Sequence, residues 1–258
     1  AAELEARYLL PVYKHLPLEP VRGEGVWLET ADGRRVLDLY GGHAVASTGH
    51  SHPRVVSAIA EQAGRLFFYS TAVPHPLREQ LAATLAARCP GPLGRVFFCN
   101  SGAEANENAL HLARKATGRK AVASVTGGWH GRTVATLACC DGRSYEAGAV
   151  RAGMALSARV AFDDVASLDS VLDDTMAALI VEPVQGMAGA RDCSVEFLAA
   201  ARRICTERGI ALLFDEVQCG VGRSGAFTAA ELYGVVPDGL TLAKGLGSGY
   251  PIGAVVAG

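Results

Sequence analysis

The sequence predicts an α/β protein whose mainly parallel sheet is covered by helices on both faces. Six short apolar runs alternate along the chain with segments of helical periodicity. Apolarity within each run is continuous rather than alternating, as expected for strands that are buried on both faces. The predicted strands are Val96–Cys99, Ala121–Val125, Ala178–Val181, Ile210–Phe214, Leu240–Leu242 and Ile252–Val256.

Helices are predicted where apolar side chains recur at helical spacing, often with proline near the first position. The start of the chain differs, because Asp32-Gly33 between two apolar runs is a strong signal for a β-hairpin. We therefore predict an N-terminal segment with a hairpin over residues 1–46 and a large domain over residues 47–258. The predicted helices are Pro53–Arg65, Pro76–Arg88, Glu104–Thr117 and Glu196–Arg208.

The composition indicates a compact enzyme-sized protein, since 50% of the 258 residues are hydrophobic and 19% are charged. A formal charge of −2 without a basic block argues against nucleic acid or an anionic membrane as a partner. No apolar run reaches the ~20 residues of a spanning helix, so we expect a cytoplasmic protein. The seven cysteines form no Cys-x-x-Cys pair, so neither a disulfide framework nor a zinc ribbon is predicted.

Lys244 and Asp215 are the candidate catalytic residues. Lys244 has glycine and apolar neighbours, a setting in which lost hydration lowers the pKa of a lysine and frees its amine as a nucleophile. A lysine that forms a Schiff base needs this property. Asp215 ends the apolar run Ile210–Phe214, where a buried carboxylate needs a cationic partner. A protonated pyridine nitrogen is such a partner, so the pair indicates a pyridoxal-phosphate site.

Two further segments follow predicted strands. Ser101 and Glu104 stand at capping-box spacing at the start of a helix, where free N–H groups beside Gly102 can bind an anion. The same pattern also fits an ordinary helix cap. Trp129 and Arg132 follow the next strand, at the edge where open α/β sheets bind ligands. A core tryptophan and a surface arginine are the alternatives.

Five motifs occur in the order seen in class III pyridoxal-phosphate-dependent aminotransferases, which the chain resembles from Tyr8 to Gly258. The likeness is strongest to the group acting on acetylornithine and ornithine. It implies the large domain of a fold-type I transferase, a homodimer, and a small C-terminal domain that would follow Gly258. The motifs are Asn100–Glu107, Gly128–Thr133, Val181–Gly186, Phe214–Gly225 and Thr241–Gly245.

The resemblance also implies a role for individual residues. Lys244 would hold pyridoxal 5'-phosphate and carry protons, and Asp215 would face the pyridine nitrogen. The phosphate would be bound by Ser101, Gly102 and Ala103, and the two ring faces would be contacted by Trp129 and Val217. Gln218 would contact the phenolic oxygen. Arg132 would bind the substrate carboxylate, with Glu182 in support.

The implied reaction moves an amino group from N-acetylornithine, or a related ω-amino donor, to 2-oxoglutarate in arginine biosynthesis. It gives glutamate and a semialdehyde. Ornithine, 4-aminobutyrate and carrier-linked lysine are alternative donors. A glutamate-semialdehyde aminomutase and a cofactor-binding protein without turnover are alternative functions. Met187 stands where relatives usually carry glutamate, and Val73-Pro74 stands where they commonly carry an aromatic residue, so the donor stays open.

Two other patterns do not predict sites. Gly220–Gly225 fits G-x-G-x-x-G after a strand, but the acid that a dinucleotide site needs about 20 residues later is missing. His43, His50 and His52 lie in a glycine-rich loop without carboxylate or thiolate ligands nearby. No metal site is therefore predicted.

Overall fold

The computed structural model describes residues 2–258, except for the side chains of residues 2, 3 and 6. The described chain forms two compact units. The first contains the residues up to Gly41 together with Thr48–Phe67, and the second contains Gly42–Ser47 together with Phe68–Gly258. The domain division into residues 1–46 and 47–258 stays a prediction.

The first unit is built on a three-stranded antiparallel sheet. The predicted hairpin is present, with Trp27 opposite Leu37 and Glu29 opposite Arg35. Gly33 supplies the left-handed backbone, with φ of +82°, that the connecting turn requires. The elements of this unit are α1 (Ala2–Tyr8), β1 (Pro20–Glu24), β2 (Trp27–Thr30), β3 (Arg35–Leu37) and α3 (Pro53–Arg65). The short turn α2 (Gly41–Ala44) belongs mostly to the second unit.

The second unit contains a seven-stranded sheet and a separate ribbon of two short strands. Its strands are β4 (Arg95–Cys99), β5 (Ala121–Val125), β6 (Ala158–Val160), β7 (Met176–Val181), β8 (Val184–Gln185), β9 (Arg191–Asp192), β10 (Ala211–Asp215), β11 (Gly239–Leu242) and β12 (Gly253–Ala257). The large sheet has the order β4-β12-β11-β10-β7-β5-β6. Only the two pairings made by β12 are antiparallel, so the predicted mainly parallel sheet is confirmed.

All predicted strands and helices are present, with ends within two residues of the predicted ones. The sequence did not predict β6 or the short helices at Val134–Cys139, Arg143–Arg151, Val165–Val171 and Ala229–Tyr233, because segments this short do not establish a period. The remaining helices of the second unit are α4 (Pro76–Arg88), α5 (Gly102–Thr117), α6 (Val134–Cys139), α7 (Arg143–Arg151), α8 (Val165–Val171), α9 (Val195–Arg208) and α10 (Ala229–Tyr233).

Side chains alternate between the two faces of the large sheet and enter two separate cores. On β10, Leu212 and Phe214 enter one core, whereas Leu213 enters the other, which α5 covers. The same alternation turns Asp215 toward α5. Thr241 is the register partner of Asp215 on the parallel strand β11, so it lies on the same side. The sheet therefore directs both polar side chains at one helix.

Within residues 2–258, no helix combines the length and apolarity needed to cross a membrane. Nor do the described side chains include a group of three or more His, Cys, Asp or Glu residues able to hold a metal ion. All seven cysteines are free thiols. Burial raises the pKa of each of them, so none presents a reactive thiolate at neutral pH.

Candidate active site

Asp215 lies at the carboxyl end of β10 and is only 3% exposed. Its Oδ2 atom accepts hydrogen bonds from Nδ2 of Asn106 at 2.7 Å and from Nδ1 of His130 at 2.8 Å. Its Oδ1 atom accepts from the backbone N–H of Val217 at 3.0 Å. Both carboxylate oxygens are therefore held by hydrogen-bond donors. A neutral His130 ring that donates through Nδ1 carries its proton on that atom.

Asn106 connects Asp215 to two other parts of the sheet. Its Nδ2 atom also donates to the carbonyl oxygen of His130 at 2.8 Å, and its Oδ1 atom accepts from Oγ1 of Thr241 at 2.7 Å. Oδ1 is therefore occupied by a donor and Nδ2 by two acceptors, which fixes the orientation of the amide. All four side chains, those of Asn106, His130, Asp215 and Thr241, are buried.

Sequence reasoning assigned no role to Asn106, His130 or Thr241. Asn106 could have been found, because it occupies a buried position of α5 beside Ala105 and Ala109. A polar residue on the buried face of a helix needs a hydrogen-bond partner in the core.

Lys244 follows β11 and opens a single 3-10 turn, Lys244–Leu246, with φ of +40°. Positive φ is uncommon for residues other than glycine, so the surrounding chain must hold this backbone in place. Burial lowers the pKa of Lys244, and the negative charges of Asp215 and Glu182 act in the opposite direction. The amine thus lies within the electrostatic influence of both carboxylates and is easier to deprotonate than an exposed lysine.

Gly245 lets the Lys244 turn approach residue 47 closely. A Cβ atom at Gly245 would lie 2.7 Å from Oγ of Ser47 and 3.5 Å from Cβ of Val221. Ser47 in turn accepts a hydrogen bond from Nη2 of Arg223 at 3.3 Å. The residue after the candidate catalytic lysine is therefore packed so tightly that it has no space for a side chain.

The start of α5 has the predicted cap. The backbone N–H of Glu104 donates to Oγ of Ser101 at 3.1 Å, and the Glu104 carboxylate accepts from the N–H of Asn100 at 2.6 Å. The amides of Gly102 and Ala103 precede the first hydrogen bond inside the helix, so they are directed outward from its start. This geometry is suited to an anion.

Two close contacts join the start of α5 to the loops after β10 and β5. A Cβ atom at Gly102 would lie 2.6 Å from Cγ1 of Val217, so these two predicted site residues touch. A Cβ atom at Gly131 would lie 2.7 Å from Cβ of Ala103. The second contact places Ala103 against the loop that carries Trp129.

Trp129 and Glu182 are joined although 53 residues separate them, because the N–H of Trp129 donates to Oε1 of Glu182 at 2.7 Å. Glu182 is 5% exposed. Burial and the charge of Asp215 raise the pKa of Glu182 to about 7. The ring of Trp129 meets the ring of Tyr145 edge to face, with centroids 4.8 Å apart.

Gln218 and Arg132 are the remaining predicted site residues, and Glu216 lies between Asp215 and Val217 in the chain. Gln218 lies against Gly186, where its side-chain amide occupies the space that a Cβ atom would need. Glu216 points away from Asp215, as its neighbouring position on an extended chain predicts, and accepts from the N–H groups of Ala229 at 2.6 Å and Ala230 at 2.8 Å. Arg132 is exposed on the loop after Trp129, and its role stays a prediction.

The family profile described as "Aminotransferase class-III" matches residues 9–258. The chain belongs to the class III aminotransferases. It is 42% identical to the acetylornithine aminotransferase of Methanocaldococcus jannaschii over 98% of the chain. It is 41% identical to the acetylornithine aminotransferase of Methanopyrus kandleri over 100% of the chain. The chain spans 65% of the length of the first relative and 66% of the second.

Solved structures show that this class III aminotransferase chain has the fold of the fold-type I pyridoxal-phosphate-dependent enzymes. The ornithine aminotransferase from Toxoplasma gondii matches 99% of the chain with a TM-score of 0.91 and 28% identity. A taurine:2-oxoglutarate aminotransferase from Bifidobacterium kashiwanohense, solved with pyridoxal phosphate and glutamate, matches 99% with a TM-score of 0.90 and 26% identity. The chain covers 62% and 64% of these two structures, respectively.

Class III aminotransferases use pyridoxal phosphate, and the residues of this site fit that cofactor. A carboxylate oxygen accepts up to two hydrogen bonds, and Oδ1 of Asp215 receives one from Val217, so it can accept another from a pyridinium N–H. Lys244 supplies an amine whose pKa burial lowers. The outward amides at the start of α5 suit a phosphate, and Gly102 lacks the Cβ atom that would displace Val217.

Proposed function

We propose that this class III aminotransferase transfers the amino group of N-acetylornithine, or of a related ω-amino donor, to 2-oxoglutarate. Glutamate and a semialdehyde are the products, and the step belongs to arginine biosynthesis. The names of the curated relatives support this donor. The observation that carries the proposal is the buried Asp215, held by Asn106, His130 and Val217, within the electrostatic influence of Lys244.

In the proposed mechanism, Asp215 would hold a proton on the pyridine nitrogen. The bound cofactor supplies an electron sink. Lys244 would hold the cofactor through Nζ, and when freed this amine would carry protons at the reacting carbon. Its lowered pKa increases the fraction of unprotonated amine that can accept a proton.

The other proposed site residues bind and orient the cofactor and the substrate. Ser101 and the amides of Gly102 and Ala103 bind the phosphate at the start of α5. Trp129 and Val217 enclose the ring, and the contact of Val217 with Gly102 supports this arrangement. Further proposed contacts are Gln218 with the phenolic oxygen, Arg132 with the substrate carboxylate, and Glu182, which holds the backbone of Trp129.

The proposal also covers the domain organisation, the location and the oligomeric state of the protein. Residues 1–46 form the N-terminal segment and residues 47–258 the pyridoxal-phosphate-binding large domain. The proposal places the protein in the cytoplasm and, as the family resemblance implies, makes it a homodimer. Sedimentation of the purified protein measures the oligomeric state.

The attachment of the cofactor tests the core of the proposal. Borohydride reduction followed by peptide mass mapping should place pyridoxyl on Lys244. An adduct on another lysine, or none on folded protein, contradicts the assignment. Asp215→Asn should lower kcat by several orders of magnitude with a smaller change in substrate binding. Near-normal turnover of that variant would show that the carboxylate is structural only.

Glutamate formation from 2-oxoglutarate identifies the donor. The screen compares N-acetylornithine with ornithine, 4-aminobutyrate, taurine and carrier-linked lysine, and Lys244→Ala serves as the inactive control. The highest kcat/KM should be that for N-acetylornithine. A protein that carries pyridoxyl on Lys244 but forms no glutamate with any donor binds the cofactor without turnover.

A further inference from the structure

The loop that carries Trp129 is hydrogen-bonded to a second segment, which leads into α7. Here we call residues 140–145 the clasp. The N–H of Gly127 donates to Oδ2 of Asp141 at 2.7 Å, and the N–H of Asp141 donates to the carbonyl of Gly128 at 3.0 Å. These reciprocal hydrogen bonds hold the backbone before Trp129 against the clasp.

Cys140 adds two contacts on the other side of Trp129. Its Sγ atom accepts from the N–H of His130 at 3.1 Å and donates to the carbonyl of Gly131 at 3.3 Å. Burial raises the pKa of Cys140, so the thiol keeps the proton that it donates. The clasp is therefore hydrogen-bonded to the backbone of the Trp129 loop both before and after Trp129 in the chain.

Tyr145 ends the clasp and contacts the indole itself. Its ring lies 4.8 Å from the ring of Trp129, centroid to centroid, with an angle of 70° between the planes. Gly142, at φ of +139°, makes the turn into α7, and a Cβ atom there would lie 3.1 Å from the Tyr145 ring. An edge-to-face contact is sensitive to the tilt of both rings, because the positive edge of one faces the negative face of the other.

We propose that Tyr145 is a positioning residue that fixes the plane of the Trp129 indole. The inference rests on the proposed function, in which one face of this indole stacks on the pyridine ring of pyridoxal phosphate. Backbone hydrogen bonds alone leave the side-chain torsions of Trp129 free. Tyr145 restricts them, so that the indole is held in place before the cofactor binds.

The experiment uses the fact that the chain contains only two tryptophans, Trp27 and Trp129. In a Trp27→Phe background, circular dichroism and fluorescence at the long-wavelength edge of the indole band, where tyrosine does not absorb, report on Trp129 alone. Tyr145→Leu removes the aromatic contact, and Tyr145→Phe is the matched control that keeps the ring and loses the hydroxyl. Both are compared with Tyr145 in the same background, first without cofactor and then during titration with pyridoxal phosphate.

Tyr145→Leu should weaken the near-ultraviolet signal of Trp129 without cofactor. It should also weaken pyridoxal phosphate binding by about two- to tenfold, the equivalent of one aromatic contact. Tyr145→Phe should match the parent in both measurements. An unchanged signal and affinity in Tyr145→Leu overturns the inference, and so does an equal loss in both variants, which would assign the effect to the hydroxyl.

Far-ultraviolet circular dichroism checks the folding of each variant. If Tyr145→Leu does not fold, Asp141→Ala loosens the clasp while keeping both rings, and it should shift the Trp129 signal in the same direction. No shift in that variant overturns the inference. Absence of a Lys244 adduct in the parent would contradict the proposed function, whereas the measurements without cofactor still decide the role of Tyr145.

Discussion

Nδ2 of Asn106 lies 2.7 Å from Oδ2 of Asp215, although 109 residues separate the two along the chain. The contact joins α5 to the end of β10. It orients the carboxylate proposed to hold the pyridine proton, so the helix whose start suits the phosphate also positions the group at the other side of the ring.

Asn106→Ala should remove a donor to a buried carboxylate and leave Oγ1 of Thr241 without its acceptor. We expect a loss of about 1–3 kcal/mol in the free energy of unfolding, together with a fall in kcat. Urea denaturation and glutamate formation measure the two effects. Asn108→Ala is the control, because its amide donates only to the carbonyl of Glu104 on the same helix. Equal effects of both substitutions would refute a specific role for Asn106.

Gly245→Ala should displace the turn that carries Lys244, because the new Cβ atom would meet Oγ of Ser47 at 2.7 Å. We expect weaker attachment of pyridoxal phosphate, measured as the yield of the Lys244 adduct against cofactor concentration. Ser47→Ala removes the hydroxyl and should restore much of the yield in the double variant. Gly64→Ala is the matched control, since a Cβ atom there has no neighbour within 4 Å. Failure of Ser47→Ala to rescue would assign the effect to another contact.

Arg132→Ala should raise KM for both the donor and 2-oxoglutarate, since both carry a carboxylate that the guanidinium is proposed to bind. Arg132 is exposed in the structure, so the loss should lie below that of a fully buried charge pair, which is about 2–5 kcal/mol. Arg132→Lys should recover only part of this, because an ammonium group does not reproduce the planar fork of the guanidinium. Steady-state kinetics with each substrate measures the two KM values. An unchanged KM for both substrates in Arg132→Ala would place Arg132 outside the site.

Glu216 should make the protein less stable as the pH rises. Burial raises the pKa of this carboxyl from 4.5 to about 7, despite the two amide donors at Ala229 and Ala230 that favour the charged form. Between these values the folded protein binds more protons than the unfolded chain, so the free energy of unfolding falls as pH increases from about 4.5 to about 7. The stability at low pH is lost as the carboxyl ionises.

Denaturation across that pH range tests the effect of Glu216. Glu216→Gln cannot ionise and should reduce the slope, while the remaining part comes from Glu182, whose pKa is also raised to about 7. The exposed Glu207→Gln should leave the slope unchanged, because its carboxylate pairs with Arg203 at the surface. The same slope in Glu216→Gln as in the unsubstituted protein would show that other groups titrate there.

The sequence by itself predicted most of the long elements and singled out two candidate site residues. Continuous apolarity identified the strands, because a strand covered on both faces needs apolar side chains on both. Lys244 and Asp215 could be picked out because each is a charged residue at, or within two residues of, the end of such a strand. Their setting in the chain already implied burial, a lowered amine pKa and the need for a partner. The five motifs then indicated the family.

Only the tertiary structure decided which residues surround Asp215 and Lys244. The contacts of Asp215 with Asn106 and His130 depend on how α5 covers the sheet and on the spatial order of strands β10, β7 and β5. No local periodicity encodes that order. The close approach of Gly245 to Ser47 likewise arises from two segments distant in sequence. Side chains near each other in space but far apart along the chain are brought together by packing, and packing is a property of the whole fold.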